Sequence, residues 1–304
     1  MGSTYILRKG SSVLADLKDG NSANLATVGA KSVYYCDNNA GNDGNDGSSW
    51  EKSFKTLVYA LAVSHADIAS GAQGWAARNV IFYRADTETI TMTKLADKTD
   101  VIGVGSYDHR PQPGIIGNHV IAGSYMGTRF FNVCFRSPAG GGDIFTIPTT
   151  ISGLAFFGCK FDGASSTPAT GALVVTTSEM LTINGCVFIG AFSDAVIELA
   201  GTEFNSLMIC DNIIQGGQQG IDVKSTVTTS IRSGYILDNT INSVTECINE
   251  ASGKLYVHRN FCVTAAAKGT AGAGAIVAGA KMMLGNKISA SDVANADVPA
   301  LGGL

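Results

Sequence analysis

Seven short segments of the chain share one frame: apolar residues, a brief break, and apolar residues again. They are "FFNVCFRS" (130–137), "FFGCKFDG" (156–163), "LTINGCVFIG" (181–190), "LMICDNIIQG" (207–216), "YILDNTINS" (235–243), "LYVHRNFCVT" (255–264) and "MMLGNKISA" (282–290). At the break stand Val133, Cys159 and Cys186, then Asn212, Asn239, Asn260 and Asn286, at intervals of 26, 27, 26, 27, 21 and 26 residues. A weaker set of apolar runs lies between them: "DIFTI" (143–147), "ALVV" (172–175), "AVIEL" (195–199), "GIDV" (220–223), "CIN" (247–249) and "AIV" (275–277). Strands this short, recurring at a near-constant period, describe a coil that stacks on itself. One turn of such a coil cannot hide its apolar side, whereas stacked turns share a core, with parallel strands about 4.8 Å apart. The expected rod occupies residues 79–290. An Asn repeated at one bend can turn left-handed there and hydrogen-bond its amide to the turns above and below, which satisfies groups otherwise buried unpaired.

Composition supports an all-β chain: 45% hydrophobic and only 15% charged residues, with 37 Gly and 6 Pro, offer apolar material and turns but few surface-helix residues. A net charge of −4 lacks the basic footprint of a nucleic-acid binder. "MGSTYILRKGSSVLADLKDG" shows no apolar run with a small-residue cleavage site, so folding in a cytoplasm is expected. The apolar stretch "GTAGAGAIVAGA" (269–280) is too short to span a bilayer. Seven Cys, an odd number without CxxC pairing, read as buried small hydrophobes.

Residues 37–54, "DNNAGNDGNDGSSWEKSF", crowd Asn, Asp and Gly before a helix signal. Ser48 with Glu51 fits a capping box, and Trp50, Phe54, Leu57 and Leu61 follow at helical spacing. No frame matches a calcium loop, and no Gly-Lys-Ser/Thr follows for a phosphate loop. The stretch is therefore expected to be a turn feeding an amphipathic helix that plugs the first coil, with His65 at the helix end and no metal or cofactor site.

This arrangement resembles the pectin-lyase-like superfamily. "VYYCDNNAGNDGNDGSSWEKSFKTLVYALA" (33–62) followed by "RNVIFYRADTETITMTKLADKTDVIGVGS" (78–106) is similar to the family's entry of strand, turn, capping helix and first coil. The resemblance implies an all-β fold, a single-stranded right-handed parallel β-helix (solenoid) with an N-terminal capping α-helix. The family includes polysaccharide lyases, hydrolases and bacteriophage spike proteins. Its hydrolase segments Asp-Asp, Gly-His-Gly and Arg-Ile-Lys are missing here, and "DNT" (238–240) is the nearest fragment.

Chemistry on such a rod must come from stacked outer positions. Glu198 and Asp222 share a register with Asn249, and two stacked acids with separated pKa values suit acid/base work on a glycosidic bond. A solvated strand face is the alternative. Asp211 and Asp238, each before a ladder Asn, are expected to shape the bend. Of the pairs Phe130/Phe131 and Phe156/Phe157, one member each should face outward. Phe130 and Phe156 are the candidates for subunit or glycan contact, with core filling as the alternative. Cys159 and Cys186 share a column and read as free thiols. The loop "YDHRPQPG" (107–114) adds Tyr107, His109 and Arg110 as candidate partner contacts.

Residues 1–32 read as a polar, irregular arm, residues 33–78 as entry strand, turn and cap, and 291–304 as a tail too small to close the last coil. An open coil edge invites a neighbouring chain. The expectation is a non-enzymatic virion protein, a phage capsid decoration or tail spike, made in the host cytoplasm. It would be homo-oligomeric, with a trimer favoured, and tied to other virion proteins through its arm or tail. The alternatives are a spike depolymerase, lyase or hydrolase, secreted in that case, and a non-catalytic module binding cell-surface glycan.

Overall fold

The repeat resolves into three parallel sheets wound by one chain. The computed structural model describes residues 6–9, 12–16, 30–70, 77–105, 113–163, 168–224, 227, 233–243, 245–252, 255–264, 276–277, 282–284 and 287–290. Asn286, Tyr107, His109, Arg110 and the tail 291–304 lie outside these.

Each complete coil visits the sheets in order. The first sheet takes Arg129–Phe131, the second Cys134–Arg136 and the third Phe145–Ile147, before Leu154–Phe157 begins the next coil. The second sheet stacks nine strands, from Glu88–Thr89 to Lys287–Ala290. Nine strands at the usual spacing make a stack about 40 Å long. The expected all-β parallel solenoid is therefore present. Two long strands, Leu173–Asn184 and Ile197–Cys210, run through the corner from the third sheet into the first, pairing along both stretches.

Phenylalanines fill the early coils. Phe130, Phe135, Phe145, Phe156, Phe161 and Phe188 are fully buried, and Phe161 stacks on Phe188 at 4.6 Å with rings 4° apart. Register then carries the second-sheet column through Ile214 and Ile241 to Cys262. Fully burying one such side chain contributes about 1.5–3 kcal/mol.

The corner between the first and second sheets explains the repeat. Asn132, Gly158, Gly185, Asp211, Asp238 and Arg259 all hold a left-handed backbone, with φ between 50° and 63°. Each stands one position before the ladder residue. Asp211 and Asp238 do shape the bend, but the ladder Asn residues do not themselves turn left-handed. The preceding residue turns the chain, and the ladder side chain is then free to point inward. Asn212 Nδ2 donates to Asn239 Oδ1 at 2.9 Å, and Asn239 Nδ2 to Asn260 Oδ1 at 2.9 Å. Each amide also donates to a carbonyl one coil back: Ile183, Ile209 and Ile236 respectively. Cys159 and Cys186 continue this ladder, their thiols reaching the equivalent carbonyls of Phe130 and Phe156 at 3.5 Å. All seven Cys are buried and free.

The helix α1 spans Leu57–Ser70 and buries Leu57, Ala60, Leu61, Ser64 and Ile68 against the first coils. It starts later than the Ser48/Glu51 signal predicts. Thr56 is the cap: its Oγ1 accepts the Tyr59 N–H, while Asp43 accepts the N–H groups of Lys55 and Thr56 at 2.8 and 2.9 Å. Trp50 and Phe54 precede the helix, and His65 lies within it rather than at its end. Acid and amide side chains of the 37–54 turn serve its own backbone: Asp37 accepts from Asn39, Asn42 from Gly44, and Asp46 from Ser48. The stretch is a turn that leads from the strand Ala30–Asp37 into the helix. The amino-terminal arm is not wholly irregular, because Ile6–Lys9 pairs antiparallel with Ser12–Asp16.

Candidate functional site

Register brings Glu198, Asp222 and Asn249 into one outward column of the third sheet, as their sequence positions predict. Lys224, two residues beyond Asp222 on the same side, reaches over both acids. Its Nζ lies 3.3 Å from Glu198 Oε2 and forms a closer ion pair with Asp222 Oδ2. That second contact is an ion pair by distance without the angles of an aligned hydrogen bond. Asn249 Nδ2 donates to the other Asp222 oxygen at 2.8 Å. Burial alone would lower the Lys224 pKa, but the negative charges of Asp222 and Glu198 against its ammonium outweigh it and raise it. A lysine held protonated is not poised to abstract a proton. The Asp222 side chain is only 1% exposed, so its carboxylate is enclosed by its partners. This cluster ties adjacent coils together.

The aromatic pairs resolve opposite to the residues singled out from sequence. Phe130 and Phe156 are fully buried and stack on each other at 5.5 Å, which removes them as contact residues. Phe131 and Phe157 are the outward members, stacked at 5.0 Å with rings 13° apart. The left-handed corner residue breaks simple alternation: Phe130, Val133 and Phe135 all face the core. Farther along the same face, Tyr235 stacks on Tyr256 at 5.4 Å. Each pair covers one face of each ring, and the Arg129 guanidinium lies over Phe131 at 5.6 Å.

At the early end of the same outer face lies an ion cluster that sequence reading missed. Asp100 takes a fork from Arg129, with Nε at 2.7 Å and Nη2 at 2.5 Å, and a third bond from Arg78 Nη1 at 2.7 Å. Arg78 Nη1 also donates to the Gly127 carbonyl at 2.7 Å. The Asp100 and Arg129 positions are paired in the sheet, so a charge repeated one coil later was the available signal.

A cleft of about 300 Å³ opens elsewhere, between the turns at Thr89–Thr91 and Ile116–Asn118, with Pro138 at its edge. None of its lining residues is ionisable. Among the described residues no three His, Cys, Asp or Glu side chains are grouped to hold a metal ion. None of the described helices is long and apolar enough to cross a membrane. No family model, curated protein or solved structure matches the chain.

Proposed function

We propose that the chain is a non-enzymatic structural or attachment protein of a virus particle, a phage capsid decoration or tail spike of the pectin-lyase-like, right-handed kind. In this reading it acts as a homo-oligomer, with a trimer expected. The observation that carries it is the closure of the Glu198–Asp222 pair by Lys224 and Asn249. The sequence offers this pair as its acid/base candidate, and its side chains are engaged in holding coils together. What then supports a mechanical role is a long stack of parallel strands with a continuous core. A rod of this kind can hold a contact surface at a fixed distance from its anchor.

Two measurements test the reading. The purified chain should run as a trimer by light scattering, and antibody against it should label intact particles in electron micrographs. A monomer missing from particles would overturn it. Release of oligosaccharide from a polysaccharide panel, lost in Glu198→Gln, would establish the depolymerase alternative.

A further inference from the structure

We infer that copies of this chain join through two faces that meet at the Asn-ladder corner, the late first-sheet face of one rod lying on the late second-sheet face of the next. The inference rests on the homo-oligomeric reading above and deepens it, naming the contact surface and its kind of partner, a second copy of the chain.

First, both faces are uncharged over the same coils. On the first sheet the outward columns from Thr182 to Tyr256 and from Asn184 to His258 contain no Asp, Glu, Lys or Arg. The same is true, on the second sheet, of the columns from Val187 to Phe261 and from Gln215 to Val263. Charges stand on outward positions of earlier coils: Asp100 and Arg129 on the first sheet, Lys160 and Asp162 on the second. The third sheet carries Glu198, Asp222 and Lys224 beside the uncharged faces. Depletion of charge at the centre is what distinguishes a contact surface from the rest of a protein exterior, and covering such a face desolvates no ion.

Second, large apolar side chains stand exposed on both. Tyr235 on the first face is 37% exposed, and Ile213 and Phe261 on the second are 43% and 41% exposed. Tyr235 and Thr240 belong to one coil, and Ile213 and Phe261 flank Thr240 in register, so these side chains stand on either side of one ridge. The ridge itself is polar. Arg259 forks Asp238 through Nε at 2.8 Å and Nη2 at 2.6 Å, and Asn184 Nδ2 donates to Asp211 at 3.2 Å. An apolar centre with a polar edge is the anatomy of a protein contact. The faces also complement each other: the first brings the Tyr235 hydroxyl, and the second brings acceptors on the exposed Gln215, Thr240 and Asn242.

Third, area selects the mode of contact. Four strands about 4.8 Å apart, with four or five residues at about 3.3 Å along each, make a face of roughly 300 Å². A stable pair buries about 800 Å² on each partner, and about 600 Å² at the low end of the range. One face of this size is too small to hold a twofold pair, whereas a copy held at both faces buries roughly 600 Å². Two different patches that meet in this way form a heterologous contact, and copies so joined can close into a ring in which every face is used.

The test joins light scattering to cross-linking on the full chain. Ile213→Asp and Tyr235→Asp put a charge on positions that the single chain exposes, so circular dichroism should match the parent. Each should nevertheless weaken association about tenfold or more, because the contact would bury an unpaired carboxylate. Val120→Asp, at a third-sheet position that is 46% exposed, should leave the mass unchanged. A short bis-maleimide should link chains of the double variant Ile213→Cys/Tyr235→Cys, up to three chains on a denaturing gel, and should link neither single variant. A monomeric parent would overturn the homo-oligomeric reading and this contact with it. An oligomeric parent whose mass survives both Asp substitutions would overturn the contact alone and leave the two faces to a different partner. Cross-linked pairs from Ile213→Cys by itself would overturn the heterologous arrangement in favour of a twofold one.

Discussion

A single amide in the Asn ladder serves two coils at once. Asn239 Oδ1 accepts both the backbone N–H and the Nδ2 of Asn212, while its own Nδ2 donates to Ile209 O and Asn260 Oδ1. Asn239→Ala would strand several of these groups at a site 1% exposed. A buried group left unpaired costs about 1–3 kcal/mol, so the variant should lose roughly 2–4 kcal/mol in urea unfolding. Asn239→Cys should lose less, because Cys159 and Cys186 already fill the ladder in earlier coils and direct their thiols at the equivalent carbonyls. Equal losses in the two variants would show that a thiol at this corner does not stand in for the amide. The ladder was legible in sequence because its spacing is that of the coil. Which Phe faces outward was not, since one left-handed residue at each bend shifts the alternation without leaving a fixed residue type: Asn, Gly, Asp and Arg all occupy it.

Elements that close the early end of the rod depend on contacts distant in sequence, and the helix start was mislocated for that reason. Ser48 and Glu51 carry the local signal, but Asp43 reaches across the turn to the N–H groups of Lys55 and Thr56 and to the Thr56 hydroxyl. Asp43→Ala should cost about 1–2 kcal/mol, read as a lower melting temperature with loss of helical circular dichroism. The carboxylate of Glu88 lies beneath the same helix end, accepting the Leu57 N–H at 3.2 Å and the Tyr83 hydroxyl at 2.7 Å, and burial raises its pKa. The third-sheet strand His119–Val120 carries a different burden. His119 is wholly buried against Phe135 and Phe145, its Nδ1 accepts the Met92 N–H at 3.1 Å, and its Nε2 has no partner. Burial lowers its pKa from 6.5 to about 3. The unfolded chain therefore binds one more proton between those values, so the stability held above pH 6.5 falls as pH drops toward 3. Relative to His119→Gln, the parent should lose about 1.4 kcal/mol per pH unit between pH 6 and 4. Parallel slopes in the two proteins would refute the buried neutral imidazole. Local sequence does not mark His119 as a core residue, because its Phe neighbours come from other strands of the stack.

At the scale of the whole rod, each coil touches chiefly the coils before and after it, so stability should divide along the axis. The core itself changes character midway. Second-sheet positions Phe135, Phe161 and Phe188 give way in register to Ile214, Ile241 and Cys262, while the corner passes from Cys159 and Cys186 to Asn212, Asn239 and Asn260. The early half thus rests on ring packing and the later half on an amide ladder. Phe161 meets Phe135, Phe145, Phe156 and Phe188, so Phe161→Ala should open a cavity costing about 3–5 kcal/mol. Because the void is confined to the aromatic half, hydrogen exchange should quicken at the strands Cys134–Arg136, Lys160–Asp162 and Val187–Ile189. It should change little at Thr240–Ser243, where the backbone pairs with later coils and the ladder is intact. Uniform quickening along all nine strands would instead mean that the rod opens as one cooperative unit, in which case the change of core composition does not set a boundary of stability.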